Sequence, residues 1–164
     1  MSKTEFVYTT YIKTTPEKLW SAITNPEFSR QYWVEGIVSD WKQGSKWQHI
    51  VGDNNDACTV GGTILESVPP KRLVITWADA TDPDDIQQHS RVTFEIEQIG
   101  DMVRLNVIHD NLKPGSSMAG KISAGWPRVL SSMKSFLETG VALDTWAGQP
   151  GVDAATPAAA SVSK

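Results

Sequence analysis

The sequence predicts an α+β domain in which a curved antiparallel sheet of six or seven strands packs against one long C-terminal helix. Two short helices close one end of that sheet. The first observation is the stretch from Gly120 to Leu143, where Ile122, Trp126, Val129, Leu130, Met133, Phe136, Leu137 and Val141 recur at the helical period on one wide face. The second is the stretch from Ile37 to Asn111, where short alternating runs are separated by Gly, Pro, Asn and Asp. The third is energetic. A single helix with so wide an apolar face is not stable alone, so the strands before it must supply its partner.

In chain order, Glu5 to Thr14 alternates, with Phe6, Tyr8, Thr10 and Ile12 on one side, and is the first strand. Thr15-Pro16 opens a short helix: Thr15 is suited to the N-cap and Pro16 to the first turn. Leu19, Trp20 and Ile23 form its buried stripe, and Asn25-Pro26 ends it. A second short helix runs from Glu27 to Tyr32. Strands follow at Ile37–Trp41, Lys46–Val51, Ala57–Val68, Arg72–Ala78, Gln88–Ile99 and Met102–Asn111. Residues 52–56 make a solvated hairpin turn, since their two Asp lack the spacing of a calcium loop. Gly61-Gly62 marks a bulge or a close backbone approach. Pro69-Pro70 forces a corner, and residues 81–85 form an exposed acidic loop. In the long helix Pro127 suits a first turn, and a start near Lys121 would place a kink there. Arg128, Ser131, Ser132, Lys134, Ser135, Glu138 and Thr139 fall on its polar face. Gly140 offers a left-handed stop, with Val141 and Leu143 in position to extend it.

The chain of 164 residues, 40% hydrophobic, is long enough for one domain with a core of its own, expected over residues 1–146. Residues 147–164 are mostly Ala, Gly, Pro, Ser and Thr with almost nothing to bury, and are expected to be a disordered tail beyond a last contact at Trp146. The net charge is −4 and no stretch gathers Lys and Arg, which argues against a nucleic-acid partner. No segment is suited to cross a membrane, and the N-terminus has no apolar run for export, so a cytoplasmic setting is expected. Cys58 stands alone, so no internal disulfide can form, and it reads as a small strand residue.

Three stretches carry a family resemblance. GGTILESVPPKRLVITW (61–77) resembles the Gly-x-Val-Leu-Glu-x-x-Pro-Pro-x-Arg-Leu-Val-x-Thr-Trp run of proteins related to activators of the heat-shock-protein-90 ATPase. GWPRVLSSMKSFLETG (125–140) is similar to that family's terminal helix, and TTPEKLWSAITNPEFSRQYW (14–33) to its start. The resemblance spans about residues 5–143. It implies the START-like (SRPBCC) superfamily and its helix-grip fold, in which the sheet wraps the C-terminal helix around a hydrophobic cavity. Eukaryotic co-chaperones of the family add an N-terminal chaperone-binding domain, for which this chain is not expected to have room. Some START-like relatives are cyclases or lyases.

Strand parity points to the site. Trp47, His49 and Val51 share a face, as do Leu73, Ile75 and Trp77, then Val92, Phe94 and Ile96, then Val103, Leu105, Val107 and His109. Two histidines thus land on the inner side near strand ends. A catalytic reading pairs a His with a carboxylate, for which Glu66 shares parity with Ile64. A structural reading has each His hydrogen-bonded at a cavity rim. No nucleophile elbow, phosphate loop or His-Glu-x-x-His is present. Two distant His and one Cys do not make a metal site, and no cofactor is called for. Arg91 and Arg128 are either partners for an acidic ligand group or surface residues, and His89 is solvated. The seven Trp either fill the core or line a hole. The candidate ligand-cavity residues are Trp33, Trp47, His49, Trp77, Phe94, His109, Trp126, Leu130 and Met133. The preferred function is binding of a small hydrophobic or amphipathic molecule. A chaperone-directed interaction module and a cyclase- or lyase-like enzyme using His49 or His109 are the alternatives.

Overall fold

Alternation along the chain becomes a single seven-stranded antiparallel sheet in a computed structural model that describes residues 4–33, 36–51, 57–80, 82, 89–145 and 147. In chain order the elements are β1 (Thr4–Ile12), α1 (Pro16–Thr24), α2 (Pro26–Trp33), β2 (Gly36–Val38), β3 (Lys46–Val51), β4 (Ala57–Val68), β5 (Arg72–Asp79), β6 (Ser90–Ile99), β7 (Met102–Leu112) and α3 (Ser117–Thr139). The spatial order is β1-β7-β6-β5-β4-β3-β2, so β1 crosses to the far edge while the other strands follow as consecutive hairpins. The sheet curls into a half-barrel around α3. Its inner face supplies Leu73, Ile75, Val92, Phe94, Leu105 and Val107, and α3 supplies Ile122, Trp126, Val129, Leu130 and Met133, all buried.

Local chemistry sets the boundaries. The Thr15 hydroxyl accepts from the Lys18 N–H at 3.2 Å, with Pro16 as the first residue of α1. Asn25 ends α1 through its N–H to the Ser21 carbonyl, and its side-chain oxygen accepts from the Glu27 N–H at 2.9 Å. One residue therefore closes one helix and opens the next. Trp20, expected in the core, is only partly buried. β2 stops at Val38 rather than at Trp41, since Trp41 lies at φ 61° and the Ser39 hydroxyl takes its N–H at 3.0 Å. The Pro69–Pro70 corner joins β4 to β5 through a cis peptide bond.

The terminal helix differs most from expectation. It begins at Ser117, capped by Ser116, whose hydroxyl accepts from the Ala119 N–H at 3.1 Å, so Pro127 falls inside it. It ends at Gly140, at φ 83°, whose N–H reaches the Phe136 carbonyl at 2.8 Å. Val141 and Leu143 are thus outside the helix and are 66% and 49% exposed. The chain then doubles back along the helix. Arg128 donates to the carbonyls of Thr145 and Ala147, Ser135 donates to that of Val141, and Ser132 bonds both the carbonyl and the N–H of Leu143. Ser132, expected on the solvent face, is completely buried as a result. The turn expected at 52–56, most of the acidic loop at 81–85, Trp146 and residues 148–164 lie outside the described residues. No described helix is long and apolar enough to cross a membrane.

Gly62 is a close backbone approach. A Cβ there would sit 2.1 Å from the Thr76 carbonyl oxygen. That oxygen accepts the indole N–H of Trp47 at 2.8 Å, while the Thr76 hydroxyl takes the Thr63 N–H at 2.8 Å. Gly62→Ala must push β4 from β5 and is expected to cost about 3 kcal/mol, the upper range for overpacking. Urea denaturation checks this, and an unchanged midpoint would show that the strands can part without loss.

Candidate functional site

Between the sheet and α3 the inward parity of four strands converges on aromatic and imidazole rings. His109 on β7 is completely buried. Its Nδ1 accepts the Trp126 indole N–H from α3 at 3.0 Å. Its Nε2 lies 2.8 Å from the hydroxyl of Ser90, which faces Trp77 across the β5–β6 ladder and donates to the Trp77 carbonyl at 2.8 Å. These bonds assign the tautomer. An indole nitrogen only donates, so Nδ1 carries the lone pair; the Ser90 proton is committed to Trp77, so Nε2 carries the hydrogen. The ring is neutral. Burial pushes its pKa down to about 3, against a smaller opposing pull from the Asp110 carboxylate.

The catalytic reading of His109 meets a geometric obstacle here. Both ring nitrogens are engaged, so no lone pair is left for a substrate proton. Its contact with Ser90 has the heavy-atom distance of a nucleophile–base pair but the opposite proton direction. His49, 1% exposed, is ringed edge-on by Trp33, Trp47 and Trp77 at centroid distances of 4.4, 5.3 and 5.3 Å. Trp77 also packs on Trp126 at 5.4 Å, and Phe94 meets Trp126 at 6.0 Å.

The rings leave little room. A cavity of about 10 Å³, the space of one water molecule, lies where α3 and the sheet separate. Trp33, Phe94, Trp126, Leu130 and Met133 border it. Trp47, His49, Trp77 and His109 form the aromatic layer against which Trp33 and Trp126 pack. Ile23, Tyr32 and Ile37, from the α1–α2–β2 end, complete the border together with Val129, and none of the four was among the cavity candidates drawn from the sequence. Ser90 was also missed. It shares parity with Val92 and Phe94, so extending that alternation back by one step would have found it.

Other candidates stand elsewhere. A register shift between Ile64 and Glu66 breaks the parity that put Glu66 inward; it pairs instead with Arg72, which also binds Glu95. Arg91 holds Asp110 with two bonds across the β6–β7 ladder, and Arg128 is committed to the returning chain. His89 is exposed. Among the described residues no group of three or more His, Cys, Asp or Glu could hold a metal.

Residues 13–138 match the family described as Activator of Hsp90 ATPase homolog 1-like protein. Solved structures share the fold. An Aha1 dimer from Colwellia psychrerythraea aligns with a TM-score of 0.68 at 19% identity, covering 84% of this chain and 98% of that one. A protein from Cytophaga hutchinsonii aligns at 0.67 with 25% identity, covering 84% and 95%. An HSP90 activator from Plasmodium falciparum aligns at 0.63 with 20% identity, covering 74% and 86%. No curated protein sequence matches the chain.

Proposed function

The chain belongs to the Activator of Hsp90 ATPase homolog 1-like family, and we propose that residues 1–146 act in the cytoplasm as a receptor for a small hydrophobic or amphipathic molecule. The ligand is taken up between the sheet and α3. One observation carries this reading: Trp33 of α2, Phe94 of β6 and Trp126 of α3 border one small apolar cavity where sheet and helix part, backed by the Trp and His rings of β3, β5 and β7. Empty apolar space forfeits contacts, so a receptor without ligand is expected to close on its own side chains. Uptake then requires side chains at the cavity border to move.

Intrinsic fluorescence tests this directly. Titration with a panel of small apolar acids and aromatics is expected to quench or shift the emission for at least one compound. Met133→Trp, which fills the cavity border, is expected to weaken that response with the circular dichroism unchanged, and a chain ended after Gln149 to reproduce it. No response to any compound, with no co-purified ligand in native mass spectrometry, would overturn the reading. A second reading rests on the family match and on the neighbour named an HSP90 activator: a chaperone-directed interaction module. A rise in a chaperone's ATPase rate on adding this chain would favour it.

A further inference from the structure

We infer that Trp33 is the resident occupant of this binding site, a plug that an uncharged, flat bicyclic aromatic ligand displaces; the inference rests on the receptor reading above. The aromatic residues of the cluster are not held alike. Trp47, Trp77 and Trp126 are 1%, 5% and 2% exposed. Trp33 is only partly buried and is the last residue of the short helix α2. The indole N–H groups of Trp47 and Trp126 are tied to the Thr76 carbonyl and to His109, whereas among the described residues that of Trp33 makes no hydrogen bond. A side chain at a helix end, reachable from solvent and without a polar tether, is the one that can rotate out at least cost.

The space it holds has a chemical shape. The Trp33 ring lies within 18° of parallel to Trp77 at 6.1 Å, tilts against Trp126 at 5.6 Å and meets the His49 ring edge-on at 4.4 Å. Those walls stand on the sheet and on α3, so they stay when Trp33 leaves. A slot fitted to an indole accepts another flat ring of that size, and stacked and edge-on ring contacts favour it beyond the area they bury. The cavity already present borders Trp33, so its departure joins the two volumes. Charge is not invited: both His109 nitrogens are engaged, and on the flanking strands Asp110 is paired with Arg91 and Asp79 with Lys121. Since a closed plug lowers apparent affinity by the fraction of time it is open, removing it must tighten binding.

The test is ¹⁹F NMR of the full chain labelled with 5-fluorotryptophan, titrated with 2-naphthol, the Trp33 line being assigned by Trp33→Phe. The expected result is that this line moves toward the position of free 5-fluorotryptophan, in step with the fluorescence response, while Trp33→Ala binds 2-naphthol at least tenfold more tightly. If Trp33→Ala does not fold, the wild-type ¹⁹F titration decides alone. Saturable binding that leaves the Trp33 line in place would overturn the plug while the receptor reading stands. Binding of dodecanoic acid but not of 2-naphthol would overturn the ligand class and again leave the receptor. Failure of both compounds to bind either protein would overturn the plug and its ligand class, while the receptor reading falls only if the whole panel and native mass spectrometry are also blank.

Discussion

Leu130→Asp is expected to abolish the cooperative unfolding transition, leaving a chain without near-ultraviolet circular dichroism at 25 °C. Leu130 is 2% exposed on the gripped face of α3, beside Met133 at 1%. Truncating such a leucine to alanine already costs about 2–5 kcal/mol. The carboxylate adds the desolvation of a charge in a neighbourhood of Trp126, Val129, Phe94 and Tyr32, none of which carries a cation. Stabilities of single domains are about 5–15 kcal/mol, so the sum removes most or all of the folded population. Ser131→Asp, one step round the helix and partly exposed, is expected to stay within about 0.5 kcal/mol of wild type. Equal urea midpoints for the two variants would mean that the helix is not seated as described.

The two short steps around Leu130 also show what periodicity reads well and what escapes it. The apolar stripe from Ile122 to Met133 was legible because burial against a large sheet imposes the helical period on the sequence. Ser132 was not, although it is more deeply buried than Leu130. It is covered by the chain returning after Gly140, and a returning segment bonded through its backbone writes no periodic pattern. Its carbonyls are taken by Arg128, Ser132 and Ser135, residues that look solvated on a helical projection. Glu66 failed for a related reason. A register shift by one residue reverses every inward and outward assignment beyond it, and nothing in Ile64-Leu65-Glu66 announces one.

At the site, parity brought His49, His109, Trp47, Trp77 and Phe94 to the inner face, and the structure brings them together with Trp126. What alternation cannot give is volume. The same residues line an open pocket or fill it, depending on ring orientations fixed by individual bonds such as Trp47 to Thr76 and Trp126 to His109. Nor does parity give proton direction. Whether His109 faces a ligand or closes a structural chain depends on Ser90 and Trp126, which lie 19 and 17 residues away in sequence. The chain they form ties α3 to the sheet at mid-helix, with Lys121–Asp79 toward its start and the Lys13 N–H to Glu138 toward its end.

That central tie makes stability depend on pH in a definite sense. His109 titrates near 6.5 when unfolded and at about 3 when folded, chiefly because burial penalises the imidazolium. Between these values the unfolded chain binds the proton and the folded one does not. The term is therefore fully present above pH 6.5 and is lost progressively as the pH falls toward 3. One proton gives a slope of up to about 1.4 kcal/mol per pH unit and a total on the order of 5 kcal/mol across the window. His109→Gln isolates it, because an amide can accept from Trp126 and donate to Ser90 without titrating. The variant is expected to be less stable than wild type at pH 7, since its shape differs. The difference is then expected to shrink by about 2 kcal/mol by pH 5, as only the wild type loses the histidine term. Urea denaturation of both proteins at pH 7, 6 and 5 measures it. A constant difference would show that the folded ring takes up a proton as readily as the unfolded one. In that case the Trp126–His109–Ser90–Trp77 chain would not be the lock that holds α3 to the sheet.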